Sequence, residues 1–425
     1  MKYEMKKIFV PAILAGALIS SLLILSGCAP DKAKGPVTLN ALFMKQAGYS
    51  EEDVTSATKE FEAAHPGTTV NLTFVPYESL EQKITTSAEA GTYDVVLSDG
   101  PFTAKFAKAG LVQAVPEIAA ADLKDIFPGA LDATVYQGKS YGMPWMNDVK
   151  YLYYNKKMLK AAGFDAPPKT LDELVTMAKA IKAKKLVQFP IVWSWSQAEA
   201  LMCDYTVLSS AFGGAMFDAS GKPTLTSEGN KKALEFMVQS IKDGVTNPKS
   251  TEYLEDDVGN VFAGGQAAFA LNWTYMYNWA KDPAKSKIVD DVGLALVPGT
   301  DKAVSATVNG GQPLSITKGS KNPVEAWNYI LFLTDRSFQK KYSKNSLPIW
   351  KSLYTDAEVV ANNPEVVAVS KDQYNYINNR PKVPFYSAFS SQMQVKIQEA
   401  LLGKKHVETA LQEAQTLAEG LAAQN

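Results

Sequence analysis

The chain has 425 residues, of which 46% are hydrophobic and 20% are charged, and this composition is typical of a soluble globular protein. Its length favours two compact lobes over a single core. The 43 basic and 44 acidic residues give a net charge of −1, so no positive excess is available for nucleic-acid binding. Two cysteines and two histidines, without a CxxC or HExxH motif, give no basis for a metal site or a cofactor.

The first thirty residues have the pattern of an export signal. Lys2, Lys6 and Lys7 precede an apolar run that ends in Leu25-Ser26-Gly27-Cys28. This ending resembles the lipobox of bacterial lipoproteins, which implies removal of residues 1–27, a lipid on the thiol of Cys28 and a short tether over 28–36. A plain transmembrane anchor is the alternative, because the apolar run is close to membrane-spanning length. Under either interpretation the protein acts outside the cytoplasmic membrane and is anchored to it.

Strand and helix patterns alternate in the next part of the chain. Apolar residues alternate over 37–43 and 70–74, as they do in half-buried strands, and Val95–Leu97 is a short buried strand. Ser50 can cap a helix between the first two strands, and a second helix is predicted over about 78–89. This alternation predicts a parallel α/β sheet with right-handed crossovers.

A second α/β unit is predicted to begin near Trp145. A strand over 151–154 is followed by Thr170 and Glu173, which form a capping box at the start of a helix. The remaining predicted elements are strands over 186–193, 267–273 and 292–297 and helices over 227–241 and 407–421.

Short motifs are spread over nearly the whole chain after the leader. They are Phe106–Leu111, Gly138–Trp145, Tyr153–Lys156, Phe262–Phe269 and Val297–Gly299. As a set they resemble family 1 of the bacterial extracellular solute-binding proteins. Three further motifs, Asn272–Tyr275, Asn309–Gly311 and Arg380–Tyr386, resemble the trehalose/maltose-binding branch of that family.

The resemblance implies a two-lobed α/β fold of the type II periplasmic-binding-protein kind, with a ligand cleft between lobes that are joined by crossing strands. Residues 37–146 and about 308–349 would form the N-terminal lobe, and residues 147–307 and about 350–425 the C-terminal lobe. The implied function is capture of a sugar or oligosaccharide by cleft closure and its delivery to the permease of an ABC importer. The expected form is a monomer that has no cofactor and is held at the membrane by the lipid on Cys28.

A sugar site needs aromatic side chains against apolar ring faces and planar polar groups that can share two hydroxyls. The aromatic candidates are Trp145, Trp273, Tyr275, Trp350 and Tyr386. Each of them can instead be a core residue. Trp273 and Tyr275 are favoured for binding because they follow a predicted buried strand at the cleft edge.

The polar candidates lie where strands end or cross. Asp99 follows the strand at 95–97, where open α/β sheets bind ligands, and Asp148 falls at the first lobe crossing, although either can be a plain turn residue. The family resemblance adds Arg380, and Gly310 and Gly311 would let backbone amides approach a ligand. The branch has an aromatic residue where this chain has Gln312, so the identity of the sugar does not carry over. Gln46, after the first strand, completes the set.

Two other classes of protein compete with a solute receptor. A secreted glycoside hydrolase also combines carboxylates with aromatic side chains, but no catalytic signature accompanies Asp99 and Asp148. A structural or adhesive lipoprotein is disfavoured by the α/β organisation and the family motifs.

Overall fold

The computed structural model describes residues 35–45, 48–344 and 346–425, so the leader with Cys28 and the candidate Gln46 lie outside the described residues. Residues 36–425 fold as one compact unit. The strands in the described residues are β1 Val37–Met44, β2 Thr68–Val75, β3 Val95–Leu97, β4 Val135–Tyr136, β5 Lys139–Ser140, β6 Met143–Met146, β7 Tyr151–Asn155, β8 Ile191–Val192, β9 Phe269–Asn272, β10 Val292–Ala295, β11 Thr307–Val308, β12 Gln312–Ile316 and β13 Ile377–Asn378.

Helices cover the faces of the sheets and form the carboxyl-terminal part of the chain. They are α1 Glu51–Ala64, α2 Tyr77–Ser87, α3 Thr103–Lys108, α4 Ala120–Asp125, α5 Pro128–Asp132, α6 Lys156–Ala162, α7 Leu171–Ala183, α8 Glu199–Ala211, α9 Glu228–Lys242, α10 Glu255–Ala263, α11 Tyr275–Lys281, α12 Pro323–Thr334, α13 Arg336–Lys341, α14 Ala357–Asn362, α15 Pro364–Gln373, α16 Tyr386–Leu401 and α17 Val407–Ala423. None of the helices in the described part of the chain combines the length and apolar character that crossing a bilayer needs.

The first sheet has the strand order β2-β1-β3-β12-β6. Strand β1 is parallel to both β2 and β3, so the predicted parallel α/β arrangement of the first three strands is confirmed. Strand β12 comes from much later in the chain and runs antiparallel to β3 and β6. After forming the second sheet, the chain therefore returns to the first sheet and completes it with β12.

The second sheet has the order β10-β7-β9-β8 and is mixed. Strand β7 is antiparallel to β9 and β10, whereas β8 is parallel to β9. The strand predicted over 186–193 was too long, because only Ile191–Val192 is a strand. Leu186 still donates its backbone N–H to Ile181 at the end of α7, and Pro190 has no N–H to give to a ladder.

Both helix starts that the sequence predicted have the expected caps. The Ser50 hydroxyl accepts from the backbone N–H of Asp53 at 3.0 Å, and the Asp53 carboxylate accepts from Ser50 N at 3.0 Å. Thr170 and Glu173 make the same reciprocal pair at the start of α7. These capping boxes satisfy backbone donors that a helix cannot satisfy internally.

Two chain segments pass between the sheets side by side. One is residues 147–150, between β6 and β7, and the other is residues 309–311, between β11 and β12. They are joined by a bridge between Val149 and Asn309 and by a 2.9 Å hydrogen bond from Gly310 N to the carbonyl of Asp148. A Cβ on Gly310 would lie 2.6 Å from the Trp273 ring, so glycine is required where the crossing passes this aromatic residue.

Candidate functional site

A cavity of about 490 Å³ lies beside the two crossing segments and is lined from both sheets. This volume is within the range of about 300–1,000 Å³ that small-molecule sites occupy. Met44 and Asp99 contribute from the ends of β1 and β3, whereas Glu199 and Trp273 contribute from elements around the second sheet. A larger open groove of about 770 Å³ between α7 and α9 contains none of the predicted site residues, so the cavity at the crossing is the candidate site.

Seven of the twelve candidate ligand contacts line this one cavity, although they are widely separated in the sequence. They are Asp99, Asp148, Trp273, Tyr275, Gly310, Gln312 and Arg380. The fold thus brings together residues from the end of β3, both crossing segments, the end of β9 and the segment after β13.

Trp145 and Trp350 do not reach the cavity, and both are core residues. Trp145 is fully buried, packs on Phe43 and Tyr49, and donates its indole N–H to the carbonyl of Leu333 at 3.1 Å. Trp350 is also buried and donates to the Thr334 carbonyl at 2.9 Å. Each indole therefore has its polar partner at the end of α12 and its ring in the core, which leaves neither face for a ligand.

Tyr386 and Gly311 lie immediately behind the cavity wall. Tyr386 is fully buried, and its hydroxyl donates to Glu199, which does line the cavity. Gly311 donates its N–H to the Asn309 side chain at 2.8 Å, and its carbonyl accepts from Gly100 N at 3.2 Å. Its backbone groups are thus used inside the protein, so Tyr386 and Gly311 can act on a ligand only through their neighbours.

Arg380 forms a bridge between two carboxylates across the cavity. Its two terminal nitrogens each lie 2.9 Å from an oxygen of Asp99, and Nη1 also donates to Glu199 at 2.8 Å. Arg380 is only 4% exposed, and its Nε has no hydrogen-bond partner in the described residues. The guanidinium fork that the sequence assigned to sugar hydroxyls is therefore occupied by the protein's own carboxylates.

Burial raises the pKa of Glu199, and the charge of Arg380 together with hydrogen bonds from Ser390 and Tyr386 opposes that rise. Tyr77 donates its hydroxyl to the other carboxylate of the bridge, Asp99, at 2.8 Å. The bridge therefore joins the end of β3 to the start of α8 through a single buried cation.

Trp273 is held in place by a second charged group beneath the cavity. Its indole N–H donates to Glu255 at 3.2 Å, and the ammonium of Lys150 lies 5.0 Å from its ring centroid. Lys150 is fully buried and pairs with Asp204 at 2.6 Å and with Glu255 at 3.5 Å. Trp273 keeps partial exposure to the cavity, as an aromatic side chain that packs against a ligand must.

Sequence reasoning missed Lys150, Glu199 and Glu255. The signal for Lys150 was present, because a lysine directly before the apolar strand Tyr151–Asn155 is a charge that needs a buried partner. The two glutamates stand at the first positions of α8 and α10, where an acidic residue is ordinary, so nothing local distinguished them.

Asp148 occupies the crossing itself. Its Oδ1 accepts hydrogen bonds from Val149 N at 2.9 Å, Thr274 N at 3.2 Å and the Thr274 hydroxyl at 2.5 Å. Burial raises the pKa of Asp148 from 3.8 to about 6, against these hydrogen bonds and the more distant charge of Lys150. The backbone carbonyl of Asp148 accepts from Gly310 in the other crossing segment, whereas its carboxylate connects the first crossing segment to Thr274, which follows β9.

The raised pKa of Asp148 predicts an inverted dependence of stability on pH. The folded protein binds this proton more tightly than the unfolded chain, so the free energy of unfolding falls as pH rises from about 4 to 6. The variant Asp148→Asn lacks this loss, and we expect it to be more stable than the parent by about 1–3 kcal/mol above pH 6. Thermal melts between pH 4 and 8 measure the difference.

The exposed Asp290→Asn variant is the control, because a surface substitution of this kind should shift the melt by about 0.5 kcal/mol or less at every pH. An Asp148→Asn protein that is less stable than the parent at pH 8 would show that the ionised carboxylate stabilises the fold.

In the described part of the chain, no group of three or more histidine, cysteine, aspartate and glutamate side chains is arranged to hold a metal ion. The cavity instead offers several carboxylates, three amides and four aromatic rings. This set can bind a polar molecule that has hydroxyl or other donor groups on its edge and apolar faces on its ring.

Comparison with known proteins agrees with this geometry. Residues 44–340 match the family described as bacterial extracellular solute-binding proteins. A probable ABC transporter-binding protein of Deinococcus radiodurans is 32% identical over 311 residues, which are 70% of this chain and 73% of that protein.

Solved structures show the same two-lobed architecture. A maltose-bound protein of T. maritima superposes with a TM-score of 0.82 at 28% identity, over 91% of this chain and 100% of that one. A solute-binding protein of Thermotoga lettingae with bound α-D-tagatose gives a TM-score of 0.80 at 27% identity, over 90% and 98% of the two chains. With its two sheets, its paired crossing segments and the cavity beside them, this chain belongs to the bacterial extracellular solute-binding protein family.

Proposed function

We propose that this protein captures a sugar or short oligosaccharide outside the cytoplasmic membrane and delivers it to the permease of an ABC importer. The observation that carries the proposal is the cavity at the crossing, in which Trp273 and Tyr275 stand among carboxylates and the amide of Gln312. The related proteins with bound maltose and tagatose support the same ligand class.

Capture follows from the way the cavity is built. Its wall comes from both sheets, so a ligand inside it contacts both and stabilises the closed arrangement relative to an open one. Closure around a sugar removes water from the Trp273 face and from the carboxylates, which strengthens their hydrogen bonds to the ligand. A permease that recognises the closed form would then receive loaded receptors in preference to empty ones.

The lobes are proposed to comprise residues 37–146 with about 308–349, and 147–307 with about 350–425. The membership of β6 and β12 in the first sheet and of β7 to β10 in the second supports the boundaries at 146 and near 308. In this scheme the segments 147–150 and 309–311 are the hinge, and few backbone angles need to change for the lobes to close.

Binding and closure can be tested together on the full chain in detergent. We expect saturable heat on titration with members of a panel that contains maltose and D-tagatose, with a negative heat-capacity change because apolar surface is buried. The radius of gyration should fall slightly when the bound sugar is added. If no sugar or polyol in the panel binds, the proposed function is wrong. Chromatography of the recovered sugar checks the hydrolase alternative, since a receptor returns it unchanged.

We further propose that residues 1–27 are removed and that Cys28 carries the lipid anchor, with residues 28–36 as the tether and the protein as a monomer. The Cys28→Ser variant is then expected to lose its partition into the detergent phase, because no thiol remains to accept the lipid. Phase separation followed by mass spectrometry measures this. A Cys28→Ser protein that still enters the detergent phase at the mature mass would exclude lipidation at this position.

A further inference from the structure

One corner of the cavity carries more negative than positive charge. Lys150 lies 5.0 Å from the centroid of the Trp273 ring and pairs with Asp204 and Glu255, and Asp148 bonds to Gly310, which packs on the same ring. Among the described residues, Asp148 has no ion pair. This corner therefore contains three carboxylates and one ammonium, and Asp148 and Glu255 both line the cavity.

Both lining carboxylates keep one oxygen available. All three hydrogen bonds to Asp148 go to Oδ1, and Oδ2 receives none from the described residues. In Glu255, Oε1 accepts from the Trp273 indole and faces Lys150, whereas Oε2 likewise receives no hydrogen bond from that part of the chain. Two carboxylate oxygens of residues that line the cavity are thus left for a ligand.

An independent polar group at the same corner also lacks a partner. Gln312 lines the cavity and is only 7% exposed, and its Oε1 is buried without a donor in the described residues. Gln312 follows Gly310, whose N–H bonds to the Asp148 carbonyl and which packs on Trp273. A buried acceptor without a donor costs about 1–3 kcal/mol, so a turn of the Gln312 amide toward a donor on a ligand would be favourable.

The basic groups around the cavity are already engaged by the protein. Arg380 is held between Asp99 and Glu199, Lys150 is buried beneath Trp273, and Lys105 pairs with Glu81. Lys45 stands exposed at the rim. The interior of the cavity therefore has no unpaired cation among the described residues that could receive a carboxylate or a phosphate of a sugar.

We propose that the corner formed by Asp148, Glu255, Gln312 and Trp273 binds the protonated amine of an amino sugar, with the sugar ring against Trp273. An ammonium supplies three donors and no acceptor, whereas a hydroxyl also brings acceptor lone pairs to two ionised carboxylates, which can only accept. The positive charge also offsets the negative excess that closure would otherwise enclose. This inference rests on the proposed sugar-binding function and specifies the class of sugar.

The test compares sugars that differ only in the amine. Calorimetric titration at neutral pH would pair D-glucosamine with D-glucose, and the glucosamine disaccharide of chitosan with cellobiose, with N-acetylglucosamine as the uncharged nitrogen analogue. We expect the amine to bind at least about tenfold more tightly in the pair whose ring the site accepts, which is roughly 1.4 kcal/mol. N-acetylglucosamine should lose that advantage, since its nitrogen has no charge.

Variants then locate the effect. Asp148→Asn and Glu255→Gln should each reduce the preference for the amine, while Glu117→Gln, which removes an exposed carboxylate that does not line the cavity, should keep it. Thermal melts confirm that each variant is folded, and the comparison of sugars on the parent protein needs no variant.

Neutral sugars that bind as tightly as their amines would overturn the inference and leave the proposed function intact. If neither member of any pair binds, the inference falls. The proposed function falls with it only if the wider sugar and polyol panel also fails.

Discussion

Replacing Arg380 by Gln is expected to lower the free energy of unfolding by about 3–5 kcal/mol at neutral pH. Arg380 is 4% exposed and is the cation between Asp99 and Glu199, so its removal leaves one buried and one largely buried carboxylate without their cation. Arg380→Lys should recover only part of the loss, because one ammonium cannot reproduce the two-point contact with Asp99. Denaturant and thermal melts without sugar measure both variants.

Arg336 provides a matched control, since it is the other arginine of the chain and also pairs with two carboxylates. Its side chain is 44% exposed, and its partners Asp122 and Asp125 lie at the surface. Arg336→Gln should therefore cost about 1 kcal/mol or less. If Arg380→Gln kept the parent's melting temperature and lost only sugar affinity, Arg380 would be a ligand contact, as the sequence first indicated.

Local elements of this fold could be predicted because their signals are local. Ser50 was expected to cap a helix and Thr170 to form a capping box with Glu173, and both form a capping box with the acidic residue three positions later. The alternating apolar runs at β1 and β2 gave both strands, since one face of each is more buried than the other. The strand predicted over 186–193 was too long because Pro190 falls within it and Leu186 still bonds back to Ile181 in α7, and these outweigh its apolar composition.

Site residues could be predicted from the sequence where they follow the end of a sheet strand or lie in a segment that crosses between the sheets. Asp99 follows a sheet strand, and Asp148 and Gly310 fall in the crossing segments, so all three lie beside the cavity. Trp145 has an equally suggestive motif but lies at the edge of the first sheet against α12 and α13, and only the packing of those distant helices shows that it is buried.

The charge pairs could not be predicted, because they join distant parts of the chain. Arg380 contacts Asp99, which is 281 residues away, and Lys150 contacts Asp204, which is 54 residues away. No sequence motif around Arg380 or Lys150 indicates which carboxylate it pairs with. The availability of Arg380 for a ligand and the negative excess around Trp273 follow from these pairs, so both properties of the site required the structure.

Replacing Trp273 by Ala is expected to weaken sugar binding by about 2 kcal/mol or more, while the melting temperature without sugar changes little. The ring is partly exposed to the cavity and rests on Lys150, so its removal deletes the surface against which a sugar ring would pack and admits water to the site. The sugar affinity of Trp273→Phe should fall between those of the parent and Trp273→Ala, because phenylalanine keeps a ring but loses the hydrogen bond to Glu255.

Trp145→Ala is the control for a core residue. That tryptophan is fully buried, so its truncation should cost about 3–5 kcal/mol of stability through the cavity it leaves, whether or not sugar is present. Calorimetric titrations and melts of the three variants separate these outcomes. If Trp273→Ala lowered the melting temperature without sugar as much as Trp145→Ala does, Trp273 would belong to the core and not to the sugar site.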